Sequence, residues 1–524
     1  MLDAEIRNAS VAELRAALDA GELTSRALVE SCLARIEALD RQGPTLGAVI
    51  EINPDALTIA DALDAELKTT GARGPLHGIP ILLKDNVATI DPMETTAGSL
   101  ALVGARPVKD AFLAARLREA GVVILGKANL SEWSNFRSTR AVSGWSGRGG
   151  QAVNPHQLDR SSSGSSSGPG VAVAAGYVPF AVGTETNGSI VSPAGSNGIV
   201  GIKPTIGLVS RQGVVPISHN QDTAGPMARS VADAAVLLQV LAAPDPDDLA
   251  SHEGERPKDV PSYPARPARI SAGEADYVAA LDADGLRGAR IGVLRRQEGP
   301  GWVPGDPILL DIIATLKDAG AEVIDPVLIP EGAEQKWGVS NIDNMLWEFK
   351  ATIADYLATF APDFPIKDLA GLIAFNNEHA EEEMPWFGQD LFERSEAMTG
   401  LDDPAYIELE MRLQRNSREL GLDAMLAEHN LDAIVALTNG PAWKIDPLLG
   451  DRPSAGSSGL AALAGYPLVT LPAATYGGMP IGLTFMAGAY SEETLIRLAY
   501  SFEQRTHARR DPQFLPGAVY PAEK

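Results

Sequence analysis

Three polar residues stand where apolar or glycine-rich stretches end, in settings that would suit hydrolysis of an acyl bond. Lys84 closes the apolar run Ile79-Pro-Ile-Leu-Leu. Ser165 lies inside SSSGSSSGPG at 161–170, and Ser189 follows Gly183-Thr-Glu-Thr-Asn-Gly. A serine hydroxyl is a poor nucleophile until a base takes its proton. Lysine can be that base only when neutral, which at pH 7 costs about 4.6 kcal/mol against its ordinary value of ~10.4. Burial beneath an apolar strand would shift the balance, because desolvation disfavours the ammonium ion. By pattern alone, a lysine capping a strand end in water is the commoner arrangement.

The serine-rich segment admits three readings. Its composition is that of a flexible linker, yet an apolar small-residue helix at 171–176 follows it directly. Gly164-Ser-Ser-Ser-Gly168 also fits the nucleophile-elbow pattern with Ser166 as nucleophile. That motif needs an apolar strand immediately before it, whereas Gln157-Leu-Asp-Arg-Ser is polar. It needs a downstream histidine as well, and nothing singles out His219, His252, His379, His429 or His507. The third reading takes the segment with its neighbours: GPLHGIPILLK ending at Lys84, Gly164-Ser165-Ser166, Gly188-Ser189-Ile190, GIVGIKPT and DTAGPMARSVADA, in that order.

In that ordered set the chain resembles the amidase signature family, most clearly over 74–243. The resemblance implies an α/β fold with a large mixed, mostly parallel twisted sheet flanked by helices on both faces. It implies a Ser–cis-Ser–Lys triad in which Ser189 attacks, Ser165 relays the proton and Lys84 is the base. Backbone N–H groups from Thr186, Asn187, Gly188 and Ser189 would form the oxyanion hole. The family usually has Gly-Gly before its nucleophile; here it is Asn187-Gly188, and asparagine tolerates positive φ better than most residues. Asp222, Arg229 and His77 match positions expected to brace the core. TETNGSIV at 184–191, MLWEFKATIADYL at 345–357 and NNEHAEEEMPWFGQDLFERSE at 376–396 resemble the bacterial peptide-amidase branch. There the substrate is a peptide C-terminal carboxamide. Aryl amide, carbamate or ester hydrolysis is the alternative, with a glutamine amidotransferase subunit the more distant one. Met384, Trp386 and Phe387 are candidates for an apolar acyl pocket, with ordinary helix packing as the competing reading.

The elements that must position these groups can be read from periodicity. Helices are expected over 1–65, with Ser10-x-x-Glu13 as a capping box. Strands are expected at 79–83, 122–125, 178–182 and 198–203, and a helix capped by Ser230. Residues 244–272, dense in proline and charge, read as a surface excursion. From 273 to 524 the α/β alternation resumes, with strands near 291–294, 322–324, 433–437, 469–471 and 481–485. A helical insertion at 347–392 is placed to cover substrate. One domain over 1–524 is the expectation. Gly121–Lys127 mimics a phosphate-binding loop, but Ala128 replaces the Ser/Thr that would hold magnesium.

Composition narrows the partners. A net charge of −25 repels phosphate backbones, so nucleic acid is excluded as a partner. Cys32 is the only cysteine, which rules out an internal disulfide and cysteine-rich metal sites. Its spacing from Leu28 and Ile36 puts it on a buried helix face. No metal or other cofactor is expected, no apolar run is long enough to span a membrane, and a cytoplasmic monomer or homodimer acting on a small-molecule or peptide amide is the expectation.

Overall fold

The computed structural model describes residues 3–251, 263–295, 305–330, 333 and 342–517; His252 lies outside them. An eleven-stranded sheet is its frame. In chain order the strands are β1 Val49–Ile52, β2 Pro80–Lys84, β3 Val123–Ala128, β4 Phe180–Glu185, β5 Val200–Lys203 and β6 Thr223–Ala228. The second half of the chain adds β7 Arg290–Leu294, β8 Glu322–Val327, β9 Ala433–Leu437, β10 Leu468–Tyr476 and β11 Met479–Met486. Across the sheet they run β1-β3-β2-β4-β6-β5-β10-β11-β9-β7-β8. The expected mixed sheet flanked by helices is therefore present. Parallel pairing forms two blocks, β3-β2-β4 and β9-β7-β8, joined by antiparallel strands between β4 and β9.

β2 and β4 are parallel neighbours with Leu83 opposite Val182. Their carboxyl ends therefore deliver Lys84 and Thr184-Glu185 to the same edge. That is where α/β sheets hold ligands, because loops and helix starts converge there. The C-terminal half completes the same sheet through Leu468–Thr470 of β10 against Gly201–Lys203 of β5.

Local signals held where a side chain closes a helix end. Ser10 and Glu13 form the reciprocal capping box, Thr24 caps Ser25–Ile36, and Ser230 accepts from Asp233 N at the start of Val231–Leu241. The chain departs from expectation in three places. Residues 1–65 are not only helical, since β1 pairs antiparallel with β3. β6 lies in DTAGPMAR, where glycine and proline hide a strand that pairs residue for residue with β4. The helical region does not run through 347–392. It is divided into Asp343–Phe360, Leu369–Glu378, Ala380–Glu383 and Asp390–Glu396, so Met384, Trp386 and Phe387 sit in a non-helical connection. An aromatic cluster docks this insertion. Phe349 packs against Trp133, Phe136 and Phe392 at ring separations of 6.2, 5.3 and 5.1 Å. No helix among the described residues is long and apolar enough to cross a membrane.

Candidate active site

Every residue of β2 is buried, so Lys84 leaves the strand into protein rather than water. Its amine lies 2.7 Å from Ser165 Oγ and 2.8 Å from Thr184 Oγ1, with Thr184 O at 3.4 Å. Burial pulls its pKa down from 10.5 to about 7, against the opposing pull of Asp222 and Glu185. Burial alone does not single this lysine out. Lys127 and Lys203 are equally buried and each is lowered to about 8 by the same desolvation. Their amines, however, meet Val87 O with Thr95 Oγ1, and Pro204 O with Tyr466 O. Of these three, only Lys84 meets a serine.

The Gly164–Ser165 peptide bond is cis, as the family resemblance implied. Gly164 is required by space, since a Cβ there would overlap Ser131 Oγ. Ser166 Oγ donates to Thr184 O at 3.0 Å and accepts from Thr184 N at 3.2 Å. That hydroxyl is fully buried and committed to β4, and residues 162–165 form no strand. The elbow reading fails on both counts.

β4 extends through Glu185, further than expected, and the chain then swings through residues 186–190 into the helix Val191–Asn197. Glu185 shapes that swing. Its Oε1 accepts from Gly188 N at 2.8 Å, and its Oε2 accepts from Ile190 N at 2.8 Å and Val191 N at 3.0 Å. Ser166 N donates to Ser189 O at 3.1 Å, docking the Ser189 turn against the segment that carries Ser165. The two segments are thus neighbours, although no hydrogen bond joins Ser165 Oγ to Ser189 Oγ among the described residues.

The N–H groups expected to form the oxyanion hole differ in what they meet. Positive φ falls on Gly188, at 83°, and not on Asn187. The Gly188 N–H is directed at Glu185, whereas the N–H groups of Asn187 and Ser189 have no acceptor among the described residues. Asn187 uses its side chain instead, accepting from Ser458 Oγ at 2.7 Å. Thr186 Oγ1 donates to Asp222 at 2.6 Å, and Asp222 also accepts from Ile217 N and Ser218 N. Asp222 therefore braces, as expected. Arg229 ties Val178 O to Ala9 O, and His77 bonds Leu63 O.

The pocket candidates divide. Phe387 is buried, edge-on to Trp145 at 5.3 Å and 4.4 Å from the Arg137 guanidinium. Trp386 is 46% exposed and Met384 half-buried. Phe387 thus packs against Trp145 and Arg137. Glu185, Thr184, Asn86 (whose amide donates to Thr184 Oγ1 at 3.0 Å) and Ser458 were not anticipated as site residues. Only the string Thr184-Glu185 before the turn offered a signal. Among the described residues, no group of three or more His, Cys, Asp or Glu is arranged to hold a metal ion.

Known proteins resemble this chain over nearly its whole length. A family model described as Amidase matches residues 27–496. The native peptide amidase of Stenotrophomonas maltophilia is 49% identical, with 97% of this chain and 99% of that one covered at a TM-score of 0.89. A probable amidase of Arabidopsis thaliana is 40% identical over 517 residues, 97% of this chain and 92% of the relative. A glutamyl-tRNA(Gln) amidotransferase subunit of Symbiobacterium thermophilum is 32% identical over 517 residues, 95% of this chain and 96% of the relative. The chain belongs to the amidase signature family and is an amidase.

Proposed function

We propose that Ser189 attacks the carbonyl carbon of a carboxylic amide while neutral Lys84 withdraws its proton through Ser165. The Ser189 Oγ–C bond forms, and the carbonyl electrons move onto oxygen beside the N–H groups of Asn187 and Ser189. The relay returns the proton to the amide nitrogen, the C–N bond breaks, and an acyl-enzyme remains. Water then attacks that ester by the reverse relay, giving the acid and free Ser189. The observation that carries this reading is the wholly buried Lys84 amine, 2.7 Å from Ser165 Oγ and lowered to about 7. Such a value makes free base accessible near neutral pH.

The substrate we favour is a peptide C-terminal carboxamide, which loses ammonia. The 49% identity to a peptide amidase over nearly the whole of both chains supports that choice. A single domain over 1–524 accords with one sheet drawn from both halves of the chain. The test is a panel of peptide amides, aryl anilides, carbamates and glutamine, run with wild type and Ser189→Ala. Peptide amides should give the highest kcat/KM, Ser189→Ala should lose turnover on every substrate, and a slow ester substrate should leave an acyl adduct on Ser189 by mass spectrometry. Turnover of glutamine above all peptide amides would replace this reading with the amidotransferase one. Persisting activity in Ser189→Ala would end it.

A further inference from the structure

We infer that a cleft between the N-terminal helix Asp3–Asn8, the helix Ser25–Ile36 and residues 509–514 binds a small doubly charged oxyanion, phosphate or a phosphomonoester. Among the described residues its lining includes four arginines, Arg7, Arg35, Arg229 and Arg509, and one acidic residue, Asp511, around a cavity of about 100 Å³. A smaller cavity beside Cys32 adjoins it and shares Arg7, Arg35 and Arg229. In a chain of net charge −25 this is a local reversal of sign. Like charges gathered in a partly desolvated cleft repel, and an anion seated among them relieves that repulsion.

The heads are held in place by backbone and by one acid. Arg35 Nε donates to Ala175 O at 3.0 Å. Arg229 donates to Val178 O at 3.3 Å and Ala9 O at 2.5 Å, and Arg509 to Asp511 at 2.8 Å. The bonds of Arg229 and Arg509 use only part of a donor set of five N–H per guanidinium. Arg509 Nε is buried without an acceptor, and the Arg7 guanidinium makes no ion pair or hydrogen bond among the described residues. Gly176, at φ 72°, lets Arg7 lie across the end of the helix Ser167–Ala174, since a Cβ there would come within 2.8 Å of Arg7 Cγ.

Two acids act on the cluster from behind, Asp233 on Arg229 and Glu503 on Arg509. Each is already engaged by a backbone amide, Val11 N on Asp233 and Val231 N on Glu503, both at 2.9 Å. Burial raises both carboxyls, Glu503 to about 7, which weakens Glu503 as a counter-ion. Several guanidinium groups around one cleft can share the charge of a doubly charged oxyanion, which a single carboxylate does not carry. The cleft lies at the far end of the helix that opens beside Ser165, apart from the amide chemistry.

Isothermal titration calorimetry on the full chain, at fixed ionic strength, tests this with inorganic phosphate, glycerol 3-phosphate and succinate. Arg7→Ala and Arg509→Gln serve as the variants, their amidase activity reporting that they fold. One phosphate should bind per chain, and each variant should weaken it about tenfold or more, the factor expected from losing one charge-assisted contact. A tighter monoester would assign the ligand as a phosphorylated small molecule, a weaker one as free phosphate. No binding up to about 10 mM phosphate, equal affinity in wild type and both variants, or succinate binding as tightly as phosphate would each overturn the inference.

Discussion

Replacing Glu185 with glutamine perturbs the one side chain that sets the path of the nucleophile turn. The carboxylate spreads three N–H bonds over two oxygens, Gly188 on one and Ile190 with Val191 on the other, at 2.8, 2.8 and 3.0 Å. Glutamine keeps one acceptor oxygen. Facing Ile190 and Val191, it turns its NH2 group on the Gly188 N–H, leaving two donors opposed in a site only 1% exposed. Bonds to a charged acceptor are worth about 1.5–3 kcal/mol and neutral ones about 1. One lost bond and two weakened ones therefore amount to about 3–4 kcal/mol. If that loss displaces one N–H of the turn from the developing oxyanion, kcat falls about 10²–10³-fold. A second effect has a definite sign. Glu185 raises the pKa of Lys84, so removing its charge lets that pKa fall from about 7 to a lower value. The acid limb of kcat/KM should then move to lower pH while the maximum falls. Steady-state kinetics of Glu185→Gln on a peptide amide between pH 5 and 9 reads both effects, with circular dichroism as the check on folding. A kcat within threefold of wild type, or an acid limb moving to higher pH, would refute the reasoning.

Lys84→Met should abolish turnover and raise thermal stability. The folded pKa of about 7 lies below the ordinary 10.5, so the charged form is penalised by at most about 5 kcal/mol; that penalty is complete below pH 7 and fades as pH rises toward 10.5. Melting curves of the two proteins should therefore differ most at or below pH 7 and converge above pH 10. Ser166→Ala removes a hydroxyl bonded twice to the Thr184 backbone. It should lower kcat about tenfold, in keeping with one or two neutral hydrogen bonds, whereas a loss as complete as in Ser189→Ala would reopen the elbow reading. Phe387→Ala should cost about 3–4 kcal/mol by thermal or denaturant unfolding because its ring is buried against Trp145, while Trp386→Ala, 46% exposed, should leave stability nearly unchanged.

The places of the candidate residues were legible because the motifs that carry the family resemblance are local and ordered. Lys84 ends an apolar strand, Ser165 precedes a helix and Ser189 follows a turn, but their roles came from the resemblance and not from those local patterns. What could not be read is what depends on partners far along the chain. Glu185 lies beyond the strand expected at 178–182; β4 runs through it and brings its carboxylate under the following helix start. Ser458 reaches Asn187 across 271 residues of sequence. β6 escaped notice because Gly225 and Pro226 weaken the strand pattern, and pairing with β4 overrides that preference. The apolar spacing of 347–392 suggested continuous helix, yet the backbone breaks after Glu383, where Ser99 and Leu100 N take up that carboxylate and fix the segment to the core. Lys84 itself could not be told from Lys127 or Lys203 by burial; the serine beside it distinguishes it.

The most direct measurement is the titration of the Lys84 amine itself. Enzyme labelled with ¹³C at the lysine Cε carbons, with Lys84→Arg to assign the signal, would report its protonation by NMR across pH 5 to 11. The account predicts a midpoint near 7, coincident with the acid limb of kcat/KM. An amine that stays protonated above pH 9, in enzyme that is turning over peptide amide at pH 7, would contradict it.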